Sequence, residues 1–417
     1  MENMSGPVSE LQRNRGLFVV PRAEEEGLAR EWNFLWCDVA PPFYREKYRA
    51  AGFGPQRVPD RSEVPLTRAA ELRADESRNA PFGSYRLIQP DDAVELSTWR
   101  DADGVPFLIF YGERDVRVRD EELTTVLSRF GVRAGDRFAH TRSGGLQTSC
   151  VSRVLSELGV AELAVGVPAS DRDAAEHLDL WQLLQPNWFL ITGHMLHRYL
   201  RVARRLGRDP ATVFGNTTLV LMDPLYQFDE PRREMERRLG ARIQVLELAP
   251  EVPAFIAGDC AEHAGLHLDA DYLYLDIVDP VTGRPVPDGR RGHVVVTTVG
   301  LDSLWIRYDL ERYGYIDRAP CACGRPGPRL IQLGRANHSV PIGDRVITPV
   351  DVRRGLDAEF DRRFTLSVRP GGALGVDIEA GADIADIADR LRAQLPVPVD
   401  VAAIPSAGSG DERNREQ

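Results

Sequence analysis

Apolar and polar residues alternate along the chain with the spacings expected of amphipathic helices and buried strands. Leu123, Val126, Leu127 and Phe130 recur at helical spacing, and Gly131 follows as a stop signal. Short apolar runs bounded by turn residues predict strands that alternate with further helices. These elements are strand 137–140, helix 177–185, strand 187–192, helix 195–206, strand 217–222, helix 231–239 and strand 242–248. The alternation predicts parallel α/β layers, with helices covering a sheet.

From about Leu273 the pattern changes to that of a β-hairpin, with turn signals between Asp279 and Gly292. A smaller segment of mixed strands and helices follows Gly334 and ends near Ile404. The polar residues 405–417 are predicted to form a disordered tail.

Composition and charge exclude several classes of protein. The 417 residues carry a formal net charge of -11, so non-specific nucleic-acid binding is not expected. There is no apolar run long enough to span a membrane, and the N-terminal residues lack the pattern of a signal peptide. Five cysteines in a chain of this length do not indicate a disulfide scaffold, so a reducing cytoplasm is expected. Lys47 is the only lysine, so no other position can supply a catalytic lysine.

Five segments occur in an order that resembles the phenylacetate–CoA ligase-like branch of the adenylate-forming enzymes. They are FYREKYRAAGFGP at 43–55, VPDGRRGHVVVTTV at 286–299, IRYDLERYGYI at 306–316, CACGR at 321–325 and LGRANHSV at 333–340. The resemblance covers roughly residues 43–403 and implies an α/β fold. It implies a large N-terminal domain at 1–333, with α/β core layers and a β-rich part, and a small α+β C-terminal domain at 334–404. Active relatives adenylate a carboxylate with MgATP and then transfer the acyl group to a thiol.

The family's phosphate loop, SSGTTGKP, falls on residues 99–106 of this chain. Trp99, Arg100, Asp101 and Asp103 stand where the family has hydroxyls and a glycine, and Gly104 matches a glycine of the family. A carboxylate about 4 Å from a phosphate charge costs roughly 4 kcal/mol at an effective dielectric constant near 20. We therefore expect this loop not to hold ATP and Mg²⁺ in the family's way.

Other nucleotide-binding positions of the family also differ here. The magnesium-binding Glu of its YGxSE motif falls on Pro250, and the ribose-binding Asp falls on Arg312. The family's hinge Asp falls on Asn337 of this chain. The family's catalytic lysine has no counterpart, because there is no lysine after Lys47. These differences predict a diverged protein that has lost ATP-dependent adenylation, and that serves as a small-acid or acyl-binding protein, a partner subunit or a repurposed enzyme.

The alternative is an active acid–thiol or acid–amine ligase with an atypical nucleotide site. In that case Arg100, Arg312 or Arg345 would replace the lost phosphate contacts, because guanidinium groups bind phosphate well.

A cysteine–histidine set matches the structural zinc site of this branch. The resemblance assigns Cys260, His267, Cys321 and Cys323 as ligands, and such a Cys₃His set suits tetrahedral Zn²⁺ with no open position for catalysis. Within residues 260–323, the metal would link the segment of Cys260 and His267 to the segment of Cys321 and Cys323. His263, at C-x₂-H spacing, is the competing fourth ligand, and three reduced cysteines without a metal are the simpler alternative.

Weaker signals indicate a ligand pocket. Ser143, Gly144 and Gly145 precede a predicted helix in a region that borders the family's acyl pocket, although a tight turn explains the same residues. His194 and Arg312 are further pocket candidates, and a structural role explains His194 equally well. The expected ligand is a small carboxylic acid or an acyl thioester, and the family analogy is compatible with a homodimer or a partner enzyme.

Overall fold

The protein is described by a computed structural model. It describes residues 32–37, 40–57, 59–100, 104–142, 146–268, 271–356, 363–379 and 383–404. The predicted disordered tail at 405–417 lies outside these residues. Within them, no helix combines the length and the apolar character needed to cross a membrane.

The predicted α/β fold is confirmed by a mixed sheet of 11 strands with helices packed on it. The order of its strands across the sheet is β10-β11-β12-β13-β9-β8-β7-β6-β5-β3-β4. The strands of this sheet are β3 (Arg137–His140), β4 (Ala161–Ala164), β5 (Trp188–Thr192), β6 (Thr218–Met222), β7 (Arg242–Leu248), β8 (Ile256–Gly258), β9 (Leu266–Leu268), β10 (Leu273–Val278), β11 (Gly292–Thr298), β12 (Tyr308–Asp317) and β13 (Arg329–Arg335).

The two halves of the sheet follow the two patterns in the sequence. Strands β4, β3, β5, β6 and β7 are parallel, and the remaining neighbours are antiparallel. The parallel strands are connected by helices, as parallel pairing requires. The helices before the small C-terminal part are α1 (Pro42–Ala50), α2 (Ala69–Arg78), α3 (Glu113–Phe130), α4 (Leu146–Glu157), α5 (Asp171–Leu184), α6 (Gly193–Arg205), α7 (Pro210–Phe214) and α8 (Asp229–Leu239).

Helix α3 illustrates how local signals set the elements near the site. Asp115 accepts a hydrogen bond from the Gly112 backbone N–H at 3.2 Å, which caps the first turn. Gly131 ends the helix in the left-handed region at φ 101°. The apolar face of α3 lies so close to β8 that a Cβ at Gly258 would lie 2.5 Å from Val126 Cγ1. Helix α3 also lies along one wall of the apolar pocket described below.

The small C-terminal part has its own three-stranded sheet. Strands β16 (Phe364–Val368), β17 (Leu374–Glu379) and β18 (Val399–Ile404) form it, and α10 (Ile384–Gln394) connects β17 to β18, which are parallel. A hairpin of β14 (Val340–Ile342) and β15 (Arg345–Ile347) and helix α9 (Pro349–Leu356) precede it. The boundary predicted between 333 and 334 falls within β13, and the division into two domains stays a prediction.

Helix α9 is joined to the large part by ion pairs. Arg353 of α9 pairs with Asp223 at 3.0 Å, and Asp351 of α9 accepts two hydrogen bonds from Arg291 at 2.7 and 2.8 Å. Bidentate arginine–carboxylate contacts of this kind fix orientation as well as distance. They hold α9 next to the carboxyl end of β6, which Asp223 follows, and the start of β11, which Arg291 precedes.

Candidate ligand cleft and metal centre

The described ends of the predicted phosphate loop belong to two paired strands. Strand β1 (Glu95–Arg100) pairs antiparallel with β2 (Pro106–Tyr111), and Gly104 in the turn has φ 76°, which only glycine adopts freely. The guanidinium of Arg100 donates to the Gly104 carbonyl oxygen at 2.8 Å, so it closes its own turn. Asp101 and Asp103 lie outside the described residues, and the predicted repulsion of phosphate by them stays a prediction.

Beside this hairpin, a cleft lies between β12 and the start of the small C-terminal part. Trp99, Glu251, Tyr308, Arg312 and Arg335 are among the residues that line it. The Arg335 guanidinium lies 5.3 Å from the centre of the Trp99 ring, in a cation–π contact. The structure thus brings two of the predicted site residues, one from the hairpin and one from β12, into one cleft.

Arg312 is committed to a buried ion pair. The side chain is 5% exposed, and its Nη1 donates to Glu247 Oε1 and to the Leu248 carbonyl oxygen, the latter at 3.2 Å. Burial raises the pKa of Glu247, and the Arg312 charge opposes that shift. At the position where the motif alignment expects a ribose-binding carboxylate, the chain therefore has a guanidinium whose hydrogen bonds are directed into the protein.

Glu251 is a cleft residue that the sequence analysis missed. It is 3% exposed, its Oε2 has no hydrogen-bond partner among the described residues, and burial raises its pKa against the effect of Arg312. The neighbouring Pro250, to which the alignment assigned the family's magnesium-binding Glu, offers its carbonyl oxygen to the Tyr111 hydroxyl. Shifting the alignment by one residue would match Glu251 to the Glu at the end of the family's YGxSE motif. That terminal Glu is the sequence signal by which Glu251 could have been found.

On the other side of the turn at 249–252 lies a pocket with a mainly apolar lining. It is narrow, with a cavity volume of about 30 Å³. Arg119 and Arg142 also line it. The apolar wall comprises Leu123, Val151, Leu190, Leu246, Leu248, Val252, Phe255 and Ile256, with Cys150, Ala249, Pro250 and Pro253.

Of the other predicted pocket residues, only His194 is among those that the structure describes. Ser143, Gly144 and Gly145 directly follow Arg142 but lie outside the described residues. His194 is exposed in the first turn of α6, where its Nδ1 lies 3.1 Å from Thr192 Oγ1. It is not among the described residues that line either the cleft or the pocket.

The four predicted metal ligands converge at one point. One ligand atom each from Cys260, His267, Cys321 and Cys323 lies within 4.8 Å of the other three. Antiparallel pairing of β9 with β13 places His267 opposite Arg329, close to the loop that carries the two C-x-C cysteines. Residues from two distant segments thus form a compact cluster that could bind a metal.

Two distances in this cluster fit the edges of a tetrahedral zinc site. The Sγ atoms of Cys260 and Cys321 are 3.7 Å apart, and Cys323 Sγ lies 3.5 Å from His267 Nε2. With zinc–sulfur and zinc–nitrogen bonds of about 2.3 and 2.0 Å, a tetrahedron has edges of roughly 3.8 and 3.5 Å. Burial raises the pKa of the Cys260 thiol to about 11, with a further contribution from the neighbouring thiols, so a bound cation would be needed to keep it ionised at neutral pH.

His263 lies outside the cluster. Its Nδ1 lies 2.6 Å from Asp259 Oδ2, and its backbone is in the left-handed region at φ 49°. The geometry therefore favours His267 over His263 as the fourth ligand, which the cysteine and histidine spacings alone left open.

Comparisons with known proteins confirm the resemblance suggested by the motifs. The chain is 26% identical to phenylacetate–coenzyme A ligase of Pseudomonas putida over 291 residues, which span 67% of this chain and 64% of that protein. It is 25% identical to the phenylacetate–coenzyme A ligase of Thermus thermophilus over 84% of this chain and 78% of that protein. The match to the first relative thus spans less than two thirds of its length. No protein-family model matches the chain.

Solved structures share the fold. A crystal structure of 2-hydroxyisobutyryl-CoA ligase in the postadenylation state, in complex with an acyl-AMP, superposes with a TM-score of 0.78 at 20% identity, covering 91% of this chain and 85% of that chain. An anthranilate CoA ligase in complex with anthranoyl-AMP superposes with a TM-score of 0.56 at 15% identity, over 78% of this chain and 66% of that chain. The similarity covers most of the chain, and it supports the fold of the adenylate-forming CoA ligases.

Proposed function

We propose that this chain, a diverged relative of the phenylacetate–coenzyme A ligases, binds a small carboxylic acid or its acyl derivative and has lost ATP-dependent adenylation. The observation that carries the proposal is the buried Arg312–Glu247 ion pair. To receive a ribose at this position, the protein would have to break that pair. The cost of leaving one partner buried without the other is about 3–5 kcal/mol, comparable to the gain from several good hydrogen bonds.

Two further features support the loss of nucleotide binding. The Arg100 guanidinium donates to the Gly104 carbonyl oxygen, and Arg345 is exposed on β15. No lysine follows Lys47 in the sequence. The three arginines that the alternative ligase hypothesis would use are therefore occupied within the protein or directed to solvent.

We also propose that the cluster at Cys260, His267, Cys321 and Cys323 holds a structural zinc ion. Four protein ligands leave no coordination position for a substrate, so the ion would stabilise the loop between β12 and β13 without taking part in chemistry. A homodimer or a complex with a partner enzyme stays a proposal from the family analogy.

The direct test of the binding proposal compares ligands in a thermal-shift titration. We expect MgATP to leave the midpoint unchanged at millimolar concentration, and at least one acid from a panel of aryl and aliphatic carboxylates to raise it in a saturable way. A saturable shift with MgATP alone would contradict the proposal.

Restoring the hairpin turn should not restore activity. The double substitution Asp101→Gly and Asp103→Thr removes two carboxylates from the turn but leaves the Arg312–Glu247 pair in place. We expect at most weak MgATP binding and no acid-dependent formation of AMP, measured by separating the nucleotides chromatographically. Adenylation from this double variant alone would show that the cleft is not closed to nucleotides.

The second candidate function is an active ligase, and Glu251 is the observation that favours it. Its Oε2 has no hydrogen-bond partner among the described residues and lies in the cleft, where a carboxylate could hold Mg²⁺ beside a triphosphate. The same thermal-shift titration separates the two candidates, because only the ligase requires MgATP to bind.

A further inference from the structure

Strand β10 lies at one edge of the large sheet and, among the described strands, pairs only with β11. On the side of β11, the Tyr272 carbonyl oxygen accepts a hydrogen bond from the Val299 N–H at 2.9 Å. On the other side, the Ile277 carbonyl oxygen accepts one from the Val286 N–H at 2.9 Å. Because backbone groups alternate between the two sides of an antiparallel strand, the N–H and C=O of Leu275 point away from β11. They make no hydrogen bond to another residue that the structure describes, so this edge can accept a further strand.

A groove with a cavity volume of about 410 Å³ lies beside this edge. Its charged lining consists of Asp60, Asp276, Asp288 and Arg318. Arg318 Nε donates to Asp288 Oδ2 at 2.8 Å, so the charges of these two residues balance, and two carboxylates remain in excess. The apolar lining comprises Leu275, Ile277, Pro285, Val286, Pro287 and Ile316. The groove therefore suits an extended segment that carries both apolar and cationic side chains.

The sequence contains a segment of this character near its N-terminus, outside the described residues. Residues 13–22 read RNRGLFVVPR and carry three arginines and no acidic residue. The run at 17–20 is apolar, and its phenylalanine and two valines are residue types that favour strands. Gly16 and Pro21 bound this run, as turn residues bound a short strand. In charge and in pattern, the segment is complementary to the groove beside β10.

The segment is attached close enough to reach the groove. Trp32, the first residue that the structure describes, packs on a tyrosine of α1, with ring centres 5.3 Å apart. From the same helix, Lys47 donates to the Leu66 carbonyl oxygen. Leu66 lies against Gly283, where a Cβ would be 3.3 Å from Leu66 Cγ, and the groove wall at 285–287 follows two residues later. The nine residues between positions 22 and 32 span up to about 30 Å when extended, which is longer than this short series of contacts.

We propose that residues 13–22 of this chain bind in the groove, with the run at 17–20 paired along the open edge of β10 and the arginines beside Asp60 and Asp276. The added strand would satisfy the outward backbone groups of β10, and the arginines would balance the two excess carboxylates. An open edge is a template for pairing with other chains, so covering it would also protect the protein from aggregation. The inference does not depend on the proposed loss of adenylation.

Hydrogen–deuterium exchange of the full chain, read by mass spectrometry at residues 273–278, tests the contact. The double substitution Arg13→Glu and Arg15→Glu reverses two charges of the segment, so we expect these amides to exchange about tenfold faster or more than in wild type. The matched control is Arg413→Glu with Arg415→Glu, which makes the same change in the second RNR tripeptide of the chain and should leave the exchange at β10 unchanged. Equal exchange at β10 in wild type and in the variant at 13 and 15, whether fast or slow, would overturn the inference.

Addition of the segment as a separate peptide distinguishes docking from a general loss of stability. A synthetic peptide of residues 12–23 should restore slow exchange at β10 of the Arg13→Glu and Arg15→Glu variant in a saturable way, and the same peptide with Phe18→Asp should not. Exchange of β6 should be the same in the variant and in wild type, which shows that the large sheet stays folded. Failure of the wild-type peptide to restore slow exchange would overturn the inference. Protection of β10 that depends on protein concentration would also overturn it, because a second copy would then cover the edge.

Discussion

Replacing Cys321 with serine is expected to remove bound zinc from the purified protein and to lower its free energy of unfolding by about 4 kcal/mol or more. The reason is that Cys321 is buried within a four-residue cluster that joins two segments of the sheet, and a tetrahedral site that loses one thiolate binds zinc far more weakly. The measurements are the metal content by mass spectrometry and urea unfolding of the same preparation.

The matched control is Cys37→Ser. Cys37 is exposed and lies outside the cluster, so this variant should keep one zinc per chain and the stability of the wild type. Wild-type protein purified with far less than one equivalent of any metal would contradict the zinc proposal. Equal stability of the Cys321 and Cys37 variants would show that the cluster does not stabilise the fold by linking the two segments.

Replacing Arg312 with leucine should destabilise the protein at pH 7 by about 3–5 kcal/mol, because it leaves the buried Glu247 carboxyl group without its ion-pair partner. The double variant Arg312→Leu and Glu247→Leu should recover most of that loss, since it removes both charges. Urea unfolding of the two variants measures the difference. Arg345→Leu is the control, because Arg345 is exposed on β15 and its loss should leave stability unchanged.

The stability of the Arg312→Leu variant should depend on pH, and the pKa of Glu247 sets the direction of that dependence. Burial raises the pKa of Glu247 in the folded state, and removing Arg312 raises it further. Between the ordinary carboxyl pKa and this raised value, the folded protein holds a proton that the unfolded chain has lost, so stability falls as pH rises through that window. Arg312→Leu should therefore regain stability as the pH is lowered from 7 to 5, and to a greater extent than wild type. A variant that is as stable as wild type at both pH values would show that the ion pair does not contribute as described.

The sequence predicted the elements with strong periodicity because their local signals agree with their tertiary setting. Strand 137–140 and strand 242–248 were predicted with the bounds that β3 and β7 have, and Gly131 and Gly240 end α3 and α8. The start of α8 was predicted at Pro231, and the helix begins two residues earlier at Asp229. Proline is tolerated in the first turn of a helix, so it marks the beginning of a helix only to within a few residues.

The metal cluster was predictable as a set, and its fourth ligand was not. Cysteine and histidine spacing left His263 and His267 open, because both are close to Cys260 in sequence. The choice depends on the pairing of β9 with β13, which is a contact between distant segments. The resemblance assigned His267, and the geometry favours the same residue.

The cleft was only partly predictable because its residues depend on register and burial. A difference of one residue in aligning a short motif separates Pro250 from Glu251, and only the structure places Glu251 in the cleft. Arg142 carried no signal in the sequence, since an arginine beside a Ser-Gly-Gly turn is normally solvated. Its burial depends on packing by α3, β5 and β7, which local patterns do not specify.

The most direct test of the central claim is ATP–pyrophosphate exchange with the purified wild-type protein and a panel of aryl and aliphatic acids, using a phenylacetate–coenzyme A ligase as the positive control. We predict no exchange above background with any acid, because the motif alignment puts Arg312, which is paired with Glu247, where the family has its ribose-binding Asp. Robust, acid-dependent exchange would contradict this account and establish the protein as an active ligase.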